Sequence, residues 1–302
     1  MQPVYEAIFT LADEGYNYLH RQVCSQFRDM LVEVDHLVYV DVLLRDGQRV
    51  LGYQPSKKVM HRALQLGLLY LFQSNQAYFT KDICVEAAKH GQLEILQWLV
   101  SIDYSLDSRV FYHAVSGGHL HILKWIDKTR NGVDDFLDDE DCAGAALGGH
   151  LKVLQWLRTK DAPWSLGTCA NAAQGGHLEV LQWARSQGCP WDEWTCIYAA
   201  GQGHLEVLQW ARSANCPWDE RVCHEAAQGG YFELLQWALA NGCSQDEWTC
   251  AFAAFGGHLK ILQWLRANGC PWDEWTLIKA EEEEHHEIIS WARANGCPEF
   301  VL

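Results

Sequence analysis

Cysteine, histidine, tryptophan and carboxylates recur together in one phrase of this 302-residue chain. From Gly175 to Thr195 it reads GGHLEVLQWARSQGCPWDEWT, and most of it returns from Gly203 as GHLEVLQWARSANCPWDE. The 12 cysteines and 14 histidines invite a zinc reading, since zinc takes four such ligands at about 2.0–2.3 Å. A Cys beside a His could equally be a nucleophile and its base. The spacing opposes both. Residues in one repeat column stand about 10 Å apart when helices pack, too far to share an ion or to meet the Cα separation of a disulfide. No Cys-x-x-Cys pair occurs, and the recurring interval, Cys189 to Cys196 and Cys216 to Cys223, crosses a loop. A nucleophile also needs one distinctive environment, whereas these candidates are interchangeable copies. No phosphate-cradling glycine loop, Gly-x-Ser-x-Gly or His-Glu-x-x-His is present. The expectation is small buried thiols, with no catalytic residue, no metal and no cofactor.

The elements that position these residues follow from the period. Trp98, Trp125, Trp156, Trp183, Trp210, Trp237, Trp264 and Trp291 are 27 residues apart, except for 31 between Trp125 and Trp156. Four extra residues therefore lie within KTRNGVDDFLDDE. Six residues before each Trp stand Gln92, His119, His150, His177, His204, Tyr231, His258 and His285. Within a copy, WTCIYAAGQG reads as a first helix and HLEVLQWARS as a second, with glycines supplying the tight turn between them. Asp192 is a predicted N-cap, and the Gly of Asn-Gly-Cys marks where second helices end.

These residues carry a resemblance. GHLEVLQWLRxxGC resembles the second helix and following turn of the ankyrin repeat, and TCxxAAxxGGH resembles its first helix. The likeness covers about residues 80–302. It departs in its shorter period and in Cys-Pro-Trp-Asp-Glu-Trp, which leaves no room for a projecting hairpin finger. The resemblance implies an all-α, ankyrin-like solenoid of stacked helix-turn-helix repeats without long fingers, similar to the shortened repeats abundant in giant-virus proteins. The His opening each second helix is then a hydrogen-bonding fixture of the loop. The implied function is a non-catalytic scaffold that binds a partner protein through the concave face.

Comparing the copies with one another separates packing from variable positions. Cys84, Phe111, Cys142, Cys169, Cys196, Cys223, Cys250 and Leu277 form one first-helix column; three residues on, from Ala87 to Ala280, all eight copies have Ala. The next column is Ala in six, with Val115 and Glu281 as exceptions. Positions i, i+3 and i+4 share a helix face, so this is the predicted packing face. The varied stripe comprises Tyr112, Ala170, Ile197, His224 and Ala251; then His113, Asn171, Tyr198, Glu225, Phe252 and Lys279; then Ser116, Leu147, Gln174, Gly201, Gln228 and Phe255. The predicted partner-binding residues are Tyr112, His113, Asn171, Gln174, Tyr198, His224, Glu225, Gln228, Phe252, Phe255 and Lys279. Eight copies would offer a surface about 80 Å long, which suits a protein. The second-helix Trp column is predicted as interlayer core, with Trp164, Trp191, Trp218 and Trp272 filling the space of the absent finger. Trp194, Trp248 and Trp275, at helix starts, are candidates for exposure.

Asp134, Asp135, Asp138, Asp139, Glu140 and Asp141 read as a solvated acidic loop without the alternation of a calcium site. Glu281 to Glu284 fit a terminal cap. A net charge of −16 argues against nucleic acid, whose phosphates need clustered cations. The N-terminus lacks the pattern of a secretory signal and no apolar run is long enough for a bilayer. The expected location is the cytoplasm, host cytoplasm for a viral protein, or the nucleus.

Three segments are expected: a helical cap over 1–55, a degenerate repeat or linker over 56–80, and the array over 81–302. Within the first, Pro3, Ile8, Val23, Cys24, Phe27, Arg28 and Met30 resemble a degenerate F-box, although Gln2 and Phe27 replace its Leu and Trp. That resemblance implies docking on a Skp1-type subunit of a ubiquitin ligase while the repeats hold a substrate. The other reading is a structural or assembly component of a large viral particle. Val38 to Tyr53, with Asp46-Gly47 between β-prone runs, is predicted to form a hairpin.

Overall fold

A computed structural model describes residues 36–50 and 53–299. Among these residues every regular element is a helix. Among the described residues no helix is long and apolar enough to cross a membrane. The F-box-like residues Pro3, Ile8, Val23, Cys24 and Phe27 lie outside the described residues. The chain divides into two compact units between Val110 and Phe111.

In the first unit the expected hairpin is replaced by a helix, His36–Arg45. The Asp46-Gly47 pair ends that helix instead of turning a hairpin: Gly47 is left-handed at φ 71°, and the Gln48 amide returns to the Leu43 carbonyl at 2.9 Å. Tertiary contact decides the matter. Val40 is buried, and the Asp41 carboxylate accepts from the Leu71 amide at 2.7 Å, near the start of the Leu69–Gln73 helix. β-Propensity is a weak prior against such contacts. Residues 56–73 fold as the helix pair Lys57–Leu66 and Leu69–Gln73, with Met60, Ala63, Leu64, Leu71 and Phe72 buried. The pair Ile83–Lys89 and Leu93–Ser101 follows.

The second unit repeats one design. First helices are Asp139–Leu147, Leu166–Gln174, Glu193–Gly201, Arg221–Gln228, Glu247–Phe255 and Glu274–Glu282, preceded by the end of Ser108–Ser116. Each is followed by a second helix, from Leu120–Arg130 to His286–Ala294. First helices pack directly on first helices, because their shared face carries mainly alanine and cysteine. The alanines at 145, 172, 199, 226, 253 and 280 have no exposed surface. Second helices bury residues such as Val207, Leu208 and Ala211 against this layer.

Caps set the helix starts. Asp192 and Asp273 accept from the Trp194 and Trp275 amides, both at 3.1 Å, and Asp246 forms a reciprocal capping box with Thr249. Between helices, the paired glycines have two different tasks. A Cβ at Gly175 would lie 2.4 Å from the Leu147 carbonyl oxygen, and one at Gly256 2.1 Å from that of Gln228, so close approach calls for glycine in these two copies, although Gln202 takes the same position in another. The second position, Gly176 for example, has φ 73° and packs beneath the His204 ring of the next copy.

Candidate functional site

The histidines form a ladder that locks neighbouring copies. Nε2 of His150, His177, His204, His258 and His285 meets the carbonyl of Ser116, Leu147, Gln174, Gln228 and Phe255 at 2.9–3.1 Å. In the first unit the Gln92 amide donates to the Gln65 carbonyl at 3.1 Å. Tyr231 fills the same place by packing on Gly203 and Gly229. Burial pushes the His150 pKa down, which keeps that ring neutral at physiological pH. These side chains are structural rungs, as the resemblance implies.

The thiols are likewise built into the stack. Cys216, Cys243, Cys270 and Cys297 point at the carbonyls of Asp192, Asp219, Asp246 and Asp273 at 3.3–3.4 Å. The fold also brings together cysteines of different columns. Cys169 meets Cys189, Cys196 meets Cys216, Cys223 meets Cys243 and Cys250 meets Cys270. Each pair joins a first-helix thiol to the loop thiol of the following turn. Like positions in successive copies stay apart, whereas thiols separated by the repeated interval of 20 residues meet. Hydrogen bonding to the partner thiol and burial raise the pKa of Cys169, Cys196, Cys223 and Cys250, and burial pushes Cys142 up to about 12. Such thiols are poor nucleophiles at neutral pH. Among the described residues no three His, Cys, Asp or Glu gather as a metal site would require.

Tryptophan occupies three distinct settings. The second-helix column, expected in the interlayer core, is only half-buried. It lies at the core's border, where the indole N–H can reach water. Against Trp183, Trp210, Trp237 and Trp291 the loop rings Trp164, Trp191, Trp218 and Trp272 pack edge-on at 5.8–6.2 Å. Arg158, Arg185, Arg212 and Arg266 then cover the loop rings at 4.2–4.3 Å. The same guanidinium groups bond the carbonyls of Ala162, Cys189, Cys216 and Cys270. One arginine thus closes each loop while shielding its ring. The third setting, at first-helix starts, is open: Trp194 and Trp275 are 41% and 40% exposed.

The varied stripe divides under burial. Its first column is mainly packing: Ala170, Ile197, His224 and Ala251 are buried, and only Tyr112 is exposed. His224, expected on the contact surface, instead bonds Asp246 at 2.6 Å and stacks on Phe252 at 5.4 Å. The reason is its angular position, which turns it toward the next first helix. The second column, His113, Asn171, Tyr198, Glu225, Phe252 and Lys279, is half-exposed throughout. So are Ser116, Gln174, Gln228 and Phe255 of the third, where Leu147 is 43% exposed. Burial raises the Glu225 pKa, and Gly201 makes space for that carboxylate. The structure therefore brings the second and third columns into one lane, anchored below by the carbonyls that hold the histidine ladder.

In comparison with known families, residues 84–126 fit the family described as ankyrin repeats (many copies). No curated protein matches the chain. The match and the consecutive helices together fit an ankyrin-repeat protein.

Proposed function

We propose that this ankyrin-repeat chain is a non-catalytic scaffold that holds a partner protein on the half-exposed lane of its first helices. Ankyrin repeats indicate a protein–protein interaction domain. The observation that carries the finer reading is the split between faces: the alanine columns are wholly enclosed, whereas Tyr198, Glu225, Phe252, Gln174 and Gln228 are half-exposed and differ from copy to copy. Stacking does not dictate those residues, so a partner can. The working place proposed for this scaffold is the cytoplasm.

In the adaptor version of this reading, the N-terminal segment docks a Skp1-type subunit and the repeats present a substrate to a ubiquitin ligase. Its support is the F-box-like pattern of Pro3, Ile8, Val23, Cys24 and Phe27. The test is affinity capture from cytosol with the full chain and with a Tyr198→Ala, Gln228→Ala, Phe252→Ala variant whose melting curve matches the parent. Loss of a captured protein in the variant is the expected result; equal recovery would overturn the lane. Co-recovery of a Skp1-type subunit and a cullin supports the adaptor version, whereas stable self-assembly or a capsid partner would favour the particle role.

A further inference from the structure

The helix-start column contains an in-chain example of cation recognition. Arg221 lies 4.8 Å from the Trp194 ring centre; its guanidinium pairs with Asp219 of its own copy at 2.6 Å and reaches Glu193, beside the ring, at 3.4 Å. The arginine is the positional equivalent, one copy later, of the tryptophan it covers. A guanidinium on an indole face, held by carboxylates at its edge, is favourable on both counts.

Two copies further, the same position is Trp in consecutive repeats. Trp248 and Trp275 stack at 5.5 Å, and each follows a glutamate, Glu247 and Glu274. Among the described residues no ion pair joins either glutamate to a cation. Lys279 lies 5.9 Å from the Trp275 ring centre but pairs with Glu282 at 2.6 Å. Burial, opposed by the hydrogen bond from the Trp275 amide, raises the Asp273 pKa, and the charges of Glu274 and Glu247 add to the rise. The ingredients around Arg221 are present here without the arginine.

We propose that Trp248 and Trp275, with Glu247 and Glu274, receive an arginine side chain from an extended segment of the partner protein. This rests on the reading of the array as a protein-binding scaffold and adds the chemistry of the partner. Charge complementarity selects the occupant: the chain carries −16, and an indole face flanked by a carboxylate favours a planar, weakly hydrated cation over a neutral or acidic side chain.

The test uses the full chain and a fluorescein-labelled peptide of alternating arginine and serine, with a second peptide in which citrulline replaces each arginine. Fluorescence anisotropy is expected to show at least tenfold tighter binding of the arginine peptide. A Glu247→Gln, Glu274→Gln variant should weaken that binding at least tenfold, and so should Trp248→Ala with Trp275→Ala. A Glu179→Gln, Glu206→Gln variant, which removes equal charge from exposed second-helix positions, should bind as the parent does. Equal binding of both peptides, no binding, or equal weakening by the two glutamine variants would overturn the proposal. Capture of the cellular partner separates this from the scaffold reading. If the Tyr198, Gln228 and Phe252 variant loses the partner while the Glu247, Glu274 variant retains it, the arginine site falls and the lane stands.

Discussion

At the scale of single residues, two copies depart from their neighbours at a cost that can be measured. Asp141 is buried where later copies carry Thr168, Thr195, Thr249 and Thr276. Burial holds its pKa up at about 7, from 3.8, against the opposing hydrogen bond from the Asp138 amide. The folded chain thus retains this proton where the unfolded chain has lost it, so stability falls as pH rises from about 4 to about 7 and is level above. Asp141→Thr should remove that slope and add about 2–3 kcal/mol at pH 8, read from urea melts at pH 5 and pH 8. Glu284 occupies the glycine position of the last turn with φ 57°. The corresponding Gly257 lies beneath the His285 ring of the next copy. Glu284→Gly should stabilise by about 1 kcal/mol, seen as a higher thermal midpoint.

At the scale of the element, the arginine–tryptophan closure varies as a unit. The copy ending in ALANGCSQDEW has Leu239 and Gln245 where four others pair Arg with Trp, and the Gln245 side-chain oxygen is buried without a hydrogen bond. Leu239→Arg with Gln245→Trp should therefore stabilise by about 1–2 kcal/mol, more than the two single changes summed by about 0.5–1 kcal/mol; a double-mutant cycle of thermal melts measures this. Much of this element was legible beforehand. The period located the helix pairs, the alanine columns located the packing face, and Asp192 was recognisable as a cap. What a linear reading missed depends on angle and on cross-copy contact. His224 varies like a surface residue, yet points at Asp246. The thiol pairs are 20 residues apart, so they became visible only when a loop was laid over the preceding first helix. Asp46-Gly47 is ambiguous by nature, because a left-handed glycine serves a helix stop as well as a hairpin.

At the scale of the whole molecule, charge and repetition act together. A net charge of −16 sets like charges against each other in the folded chain, so salt should stabilise it. Moving from 10 to about 300 mM sodium chloride at pH 7 should raise the thermal midpoint by about 2 °C, corresponding to about 1 kcal/mol. Calorimetry at the two concentrations checks this, and an unchanged or lower midpoint would refute it. The histidine ladder has a different consequence. Since His177, His204, His258 and His285 each meet the same kind of carbonyl and glycine seat, one joint serves many neighbours. A gene encoding such a chain can gain or lose an entire copy by recombination and reseal the break with a familiar fit, while a slip of a few codons leaves a ring with nowhere to rest.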